Sequence, residues 1–174
     1  LLQSLISALA VNYHPHEVNF ILVDFKGGGM SNAFMELPHL VGTITNLERS
    51  LAQRALRALN AEMERRQRVL ADAGENNINP YIRKFRQGQV KVAMPHLVLI
   101  VDEFAELTAQ LPDFMSELIS VARLGRSLGF HLILTTQKPA GVVNEQIWAN
   151  SRFRFSLRVE RTEDSRDVLK RPDA

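Results

Sequence analysis

The sequence predicts an α/β fold, with a mostly parallel sheet covered by helices on both faces. Three short strand-like runs, Phe20–Val23, Leu97–Val101 and His131–Thr136, each stop at polar residues. Strands buried on both faces read as unbroken apolar runs. Between them lie segments whose apolar residues recur three and four apart, the spacing of helices, and the longest reaches from about Thr45 to Ala73. Such alternation favours parallel pairing, because consecutive parallel strands need a crossover that a helix supplies.

Taken in order, Leu1, Leu2, Leu5, Ile6, Leu9 and Ala10 have helical spacing from the first residue, with no N-cap before them. The chain therefore reads as a piece of a longer one, entered inside a helix. Asn12 to Asn19 is a polar connector, and the strand Phe20–Val23 runs into Asp24-Phe25-Lys26 and Gly27-Gly28-Gly29. Thr45-Asn46-Leu47-Glu48 has the form of a capping box opening the long helix, with Leu47, Leu51, Leu56, Leu59, Met63 and Leu70 on its apolar side. Gly74 to Pro80 reads as a turn-rich break, followed by the basic stretch Arg83-Lys84-Phe85-Arg86 and then Pro95. After the central strand, Pro112-Asp113 starts another helix with Asp113 as N-cap, and Gly129 ends it. Asn144 to Asn150 reads as a short helix, and Arg152 to Val159 alternates polar and apolar residues like a half-exposed strand. Thr162 caps a last helix running to about Lys170.

The 174 residues suit a single domain, and 45% hydrophobic with 23% charged residues is ordinary globular composition. The net charge of +2 supplies no basic footprint for nucleic acid. With no cysteine, disulfides and thiolate-held metals are excluded. No apolar run approaches a membrane span, and no signal peptide is visible.

The chemistry concentrates where Leu97-Val98-Leu99-Ile100-Val101 stops at Asp102-Glu103. Ligands of open α/β sheets sit at the carboxyl ends of the strands. Two acids aimed there suit a Mg²⁺-nucleotide, one carboxylate holding the hydrated metal and the next orienting an attacking water. A solvated acidic turn gives the same pattern. Gln137 follows its strand as Asp102 does, in a place suited to a γ-phosphate or its water. Gly27-Gly28-Gly29 reads as a flexible loop rather than a P-loop, since Gly-x-x-x-x-Gly-Lys-Ser/Thr occurs nowhere in the chain. Lys26 faces the crevice if its strand ends there. Arg49, Arg54, Arg57, Arg65, Arg66 and Arg68 read mostly as a solvated helix face, one of which can serve as an arginine finger toward a neighbouring subunit. Arg123 and Arg126 also suit a helix C-terminus. His14 and His16 lack a nearby third ligand, and Trp148 with Ile147 reads as a core or interface anchor.

Taken together, Asp24-Phe25-Lys26-Gly27-Gly28-Gly29-Met30, Leu37 to Leu47, Asp102 to Leu107, Ala122 to Gly129, Thr135 to Pro139 and Asn150 to Phe153 resemble the FtsK/SpoIIIE ATPase domain of type VII secretion proteins, the EssC/EccC group. The resemblance covers nearly the whole chain. It implies a RecA-like P-loop NTPase core over residues 1–174, a single domain incomplete at its N-terminus and possibly at its C-terminus, lacking the first strand and P-loop. It further implies ATP and Mg²⁺ as cofactors, with Asp102 as metal residue, Glu103 as catalytic base and Gln137 as sensor. Lys26 would join Asp102 in cofactor binding, and the finger would be Arg54 or Arg57. The implied parent is a ring-forming or stacked motor at the cytoplasmic face of the cell membrane. Its expected partners are other copies or other ATPase domains of the same motor, small helical secreted proteins and the membrane secretion complex. A DNA translocase of the FtsK type and a non-catalytic substrate-docking or assembly module are the alternatives.

Overall fold

The computed structural model describes residues 1–24, 29–45, 48–137, 139, 141–143, 145–151, 153–172 and 174. Helix α1 (Leu2–Asn12) leads to strand β1 (Val18–Asp24), a short helix α2 (Gly29–Asn32) and strand β2 (Leu40–Ile44). Helices α3 (Arg49–Asp72) and α4 (Ile78–Arg86) cross to strand β3 (His96–Asp102). Helices α5 (Phe104–Gln110) and α6 (Pro112–Leu124), then a 3₁₀ turn at Gly125–Leu128, lead to strand β4 (Phe130–Leu134). Helices α7 (Glu145–Asn150) and α8 (Thr162–Leu169) follow.

The four strands lie in the order β2-β1-β3-β4, and every pairing is parallel. From β1 the chain steps outward to β2, then returns across β1 to β3 on its other side. The loops leaving β1 and β3 therefore diverge, which opens a crevice at their carboxyl ends. Asp24 and Asp102, the last residues of these strands, are register partners at that point.

Period-two alternation in β1 and β3 feeds two cores. Phe20, Leu22, Val98 and Ile100 pack with Ile6 of α1 and Met30 of α2. Val23, Leu97, Leu99 and Val101 pack against α3 to α6, through residues such as Leu56, Leu59, Tyr81, Leu107, Phe114 and Leu118. Each such fully buried side chain is worth about 1.5–3 kcal/mol over an exposed one, so β3 is anchored from both sides. This fixes Asp102 on a rigid element.

The α/β prediction holds, and several local expectations are corrected. Strand β2 lies in a stretch read only as a motif. The expected break is present over Gly74 to Asn77, but its last residues, Ile78 to Pro80, and the basic run lie in helix α4. Asn77 caps it, its Oδ1 accepting from the Asn79 amide at 2.9 Å. Pro80 stands in the first turn, where its missing N–H costs nothing. Helix α3 opens at Arg49 with Glu48 at the N-cap and no side-chain cap bond, so Thr45 does not cap it; Asn46 and Leu47 lie outside the described residues. Leu51, expected on the buried side, is 38% exposed. Leu111 rather than Asp113 is the N-cap of α6, with Pro112 at its first position and Asp113 in the first turn, favourable to the helix dipole. Arg161, not Thr162, is the N-cap of α8. Residues 153–159 form no strand, and Phe153, Phe155 and Leu157 are 83%, 83% and 68% exposed. Their alternation finds no ladder partner among the described residues.

Arg66 departs most from the solvated-face reading. It is 2% exposed, with Nη1 donating to the Leu128 carbonyl at 2.8 Å and Nε to Glu62 at 2.8 Å. Its guanidinium lies 5.0 Å from the centre of the Phe130 ring. The arginine thus joins α3 to the start of β4. Gly129 completes the join with φ +85°, where a Cβ would lie 2.2 Å from Ile78 Cδ1. Only glycine fits that turn; it caps the 3₁₀ turn Gly125–Leu128, whereas α6 itself ends earlier, at Leu124 with Gly125 as C-cap.

Candidate functional site

The site begins with the end of β3. Asp102 is half-buried, and its Oδ1 accepts from Thr135 Oγ1 at 3.1 Å. Thr135 just follows β4 and extends its pairing. Its amide donates to the Val101 carbonyl at 3.0 Å, and its carbonyl accepts from the Phe104 amide at 2.9 Å. Beyond Asp102 the strand cannot simply continue, because Glu103 adopts the left-handed conformation at φ +55° and ψ +59°. An L residue enters that region at a free-energy cost.

This turn brings the Glu103 carboxylate to the segment after β4. Thr136 Oγ1 donates to Glu103 Oε1 at 2.6 Å. The Gln137 amide donates to Oε1 at 3.3 Å and to Oε2 at 3.2 Å. Glu103 is 5% exposed, whereas Gln137 is exposed. The structure thus brings Asp102 and Glu103 against the Thr135–Gln137 segment, more than thirty residues away in sequence, with the backbone amide of Gln137 meeting Glu103.

Asp24 supplies a third carboxylate at this end of the sheet and is 2% exposed. Its Oδ2 accepts from the amides of Met30 at 2.9 Å and Ser31 at 3.3 Å, which holds α2 against the end of β1. Sequence reasoning assigned Asp24, Thr135 and Thr136 no role of their own. The strand-end rule that singled out Asp102 applies equally to Asp24. The two threonines gave no comparable signal, since hydroxyls are common after strands.

Lys26 lies outside the described residues, as do Gly27 and Gly28. Arg54 and Arg57 lie on the exposed face of α3, where Arg57 Nε donates to the Gln53 carbonyl at 3.4 Å. Among the described residues they make no hydrogen bond to Asp102 or Glu103. A hollow of about 510 Å³ opens between α3 and the β1–β2 edge, with Ile21, Val41, Ile44 and Leu59 in its lining and none of the three site residues. Trp148 is half-buried between two cations, Arg154 and Lys170, at 3.5 Å and 4.2 Å from its ring.

At the opposite end of β3 and β4, His96 Nδ1 and His131 Nε2 are 2.9 Å apart. Burial, then the neighbouring His131 and Arg66, pushes His96 down to about 4. His131 is lowered too, by burial and by Arg66 and Arg126. Both shifts favour the neutral form of the pair.

The model of the FtsK/SpoIIIE family matches residues 1–141. The chain belongs to this family. Among FtsK/SpoIIIE relatives, it is 56% identical to type VII secretion system protein EssC of Staphylococcus aureus over 174 residues, all of this chain and 12% of that protein. It is 53% identical to ESX secretion system protein YukB of Bacillus subtilis over 175 residues, 99% of this chain and again 12% of the relative. The cytoplasmic domain of the type VII secretion ATPase EccC of Thermomonospora curvata superimposes with a TM-score of 0.88 at 37% identity. That match covers 99% of this chain and 20% of the EccC chain. The chain therefore spans about an eighth of the curated relatives it matches. Its fold is the RecA-like ATPase fold that its motifs imply. Among the described residues no helix is long and apolar enough to cross a membrane.

Proposed function

We propose that residues 1–174 form one RecA-like domain of an ATP-driven motor for type VII protein secretion, with nucleotide handled at the carboxyl end of β3. The observation that carries this reading is the meeting of Asp102 and Glu103 with the Thr135–Gln137 segment at the carboxyl ends of β3 and β4, beside the β1–β3 switch point. The likeness to EssC, YukB and EccC directs it toward protein export rather than DNA transport. The net charge of +2 agrees, offering no DNA footprint.

The site fits a Mg²⁺-nucleotide in part. Asp102 offers hard carboxylate oxygen at a half-buried position, with Thr135 orienting Oδ1. No Gly-x-x-x-x-Gly-Lys-Ser/Thr occurs among these residues, so in this reading the main phosphate cradle comes from outside them. Bound Mg²⁺ would neutralise charge on the phosphates. In this reading Asp102 holds the hydrated cation, Glu103 orients the attacking water and Gln137 meets the γ-phosphate. Lys26 adds a cation to the phosphates, and Arg54 or Arg57 reaches a neighbouring domain. The partners are other copies or ATPase domains of the motor, small helical export substrates and the membrane secretion complex, at the cytoplasmic face of the membrane.

Glu103→Gln in the full-length protein tests the reading. The amide keeps the shape but cannot take a proton. Export of a small helical substrate and the ATP turnover of this site are expected to be lost, with the protein still assembled. Unaltered turnover and export would contradict the assignment.

A further inference from the structure

We propose that Thr136 and the Gln137 amide form a latch that holds Glu103 in a resting position, and that ATP is hydrolysed only when this latch opens. The inference rests on the reading of Glu103 as the residue that orients the attacking water.

A general base must present an oxygen to the water it activates. Both Glu103 oxygens instead accept bonds from the protein. Oε1 takes Thr136 Oγ1 at 2.6 Å and the Gln137 amide at 3.3 Å, and Oε2 takes the same amide at 3.2 Å. Glu103 as a residue is only 5% exposed, which leaves little room for water beside these donors. Hydrogen bonds to an ionised acceptor are the stronger kind, so this arrangement is held and not incidental. The left-handed backbone at Glu103, φ +55°, turns the side chain toward these donors. A non-glycine residue keeps that conformation only where its surroundings hold it.

The position of Gln137 supplies a trigger. Its backbone N–H holds Glu103, while its exposed side chain is the candidate contact for the γ-phosphate. A phosphate that draws the Gln137 side chain moves the residue whose amide closes the latch. Nucleotide sensing and release of the base are thereby joined in the dipeptide Thr136-Gln137. A carboxylate released only in this way hydrolyses little ATP before the nucleotide is seated.

The test is steady-state ATP hydrolysis by the full-length protein at saturating Mg²⁺-ATP, taken as the rate above that of Glu103→Gln. Thr136→Val removes the donor and keeps the branched shape. Loss of one hydrogen bond to a charged acceptor is expected to raise the Glu103-dependent kcat about tenfold, with KM little changed. Thr136→Ser restores the donor and brings the rate back down, which loss of packing alone would not explain. Thr136→Ala carries the same expectation as valine should that variant melt early. The double variant Thr136→Val with Glu103→Gln should show no gain. If Glu103→Gln abolishes turnover while folded Thr136→Val or Thr136→Ala hydrolyses at or below the wild-type rate, the latch is wrong and Thr136 positions the base productively. If Glu103→Gln leaves the rate unchanged, the reading of the base itself fails.

Discussion

Asp24 and Asp102 are register partners across the β1–β3 pairing, and the alternation of each strand sends them to the face that carries α1 and α2. One is closed in and holds protein amides; the other is half-exposed. Equal places in the sheet thus have unequal surroundings, Asp24 closed in by α2 and Asp102 partly open to solvent. Replacing Asp24 by alanine leaves the amides of Met30 and Ser31 without their acceptor in a buried place. A loss of about 1–3 kcal/mol is expected, and less for Asp24→Asn, which keeps an acceptor oxygen. Urea unfolding of both variants measures it. Wild-type stability in Asp24→Ala would show that α2 is not held through this carboxylate.

The histidine pair predicts an acid-sensitive fold. Burial, His131 and Arg66 lower His96 to about 4, and Arg126 adds to the positive surroundings of His131. Because the folded-state value lies below the unfolded one of about 6.5, the unfolded chain binds more protons between these limits. Stability is therefore complete above about pH 6.5 and falls as the pH drops toward 4. Denaturation midpoints at steps across this window should decline with acidity, and the decline should be shallower in His96→Gln. A midpoint for the wild-type chain that rises on acidification would contradict the assignment.

The exposed arginines of α3 predict catalysis across a boundary. Arg54 and Arg57 face solvent and make no hydrogen bond to the carboxylates described, as suits a group offered to a neighbour. If one is the finger, its loss lowers turnover by about 10³–10⁵. Mixing that variant with Glu103→Gln chains should then recover part of the activity, since a mixed interface joins an intact arginine to an intact base. Assembled mixtures that stay inactive would exclude both as fingers acting between chains.

The strands legible in the sequence were those with unbroken apolar runs: β1 and β3, covered on both faces, and β4, which proves to be an edge strand with only Phe130 buried rather than the buried strand its run suggests. Leu97 to Val101 is an unbroken apolar run because α1 covers one face and α3 to α6 the other, so its end at Asp102 and Glu103 was legible too. Strand β2 was not, since as an edge strand it alternates between half-buried and exposed residues and contains Gly42. Helix α4 was hidden by Pro80 and its asparagines, residues that mark turns but also suit a helix start. Phe153 to Val159 misled in the other direction, because alternation shows a capacity for pairing and not the presence of a partner. Arg66 looked like its solvated neighbours, for nothing local shows that Leu128 and Phe130 will close over it. The Thr136–Glu103 bond, 33 residues apart in sequence, exists only once β3 and β4 lie side by side.

In the proposed site Asp102 holds the metal of a bound nucleotide, while Glu103 acts on that nucleotide without being needed to bind it. Equilibrium titration of the full-length protein with Mg²⁺-ATP, read as nucleotides bound per chain and their affinity, tests this most directly. Glu103→Gln should bind as many nucleotides as the wild type, with similar affinity. Asp102→Ala should lose one Mg²⁺-dependent site from that count, or bind it far more weakly, because a carboxylate partner of the cation has gone. Full binding by Asp102→Ala, at wild-type affinity and with the same dependence on Mg²⁺, would place the nucleotide elsewhere and contradict the account.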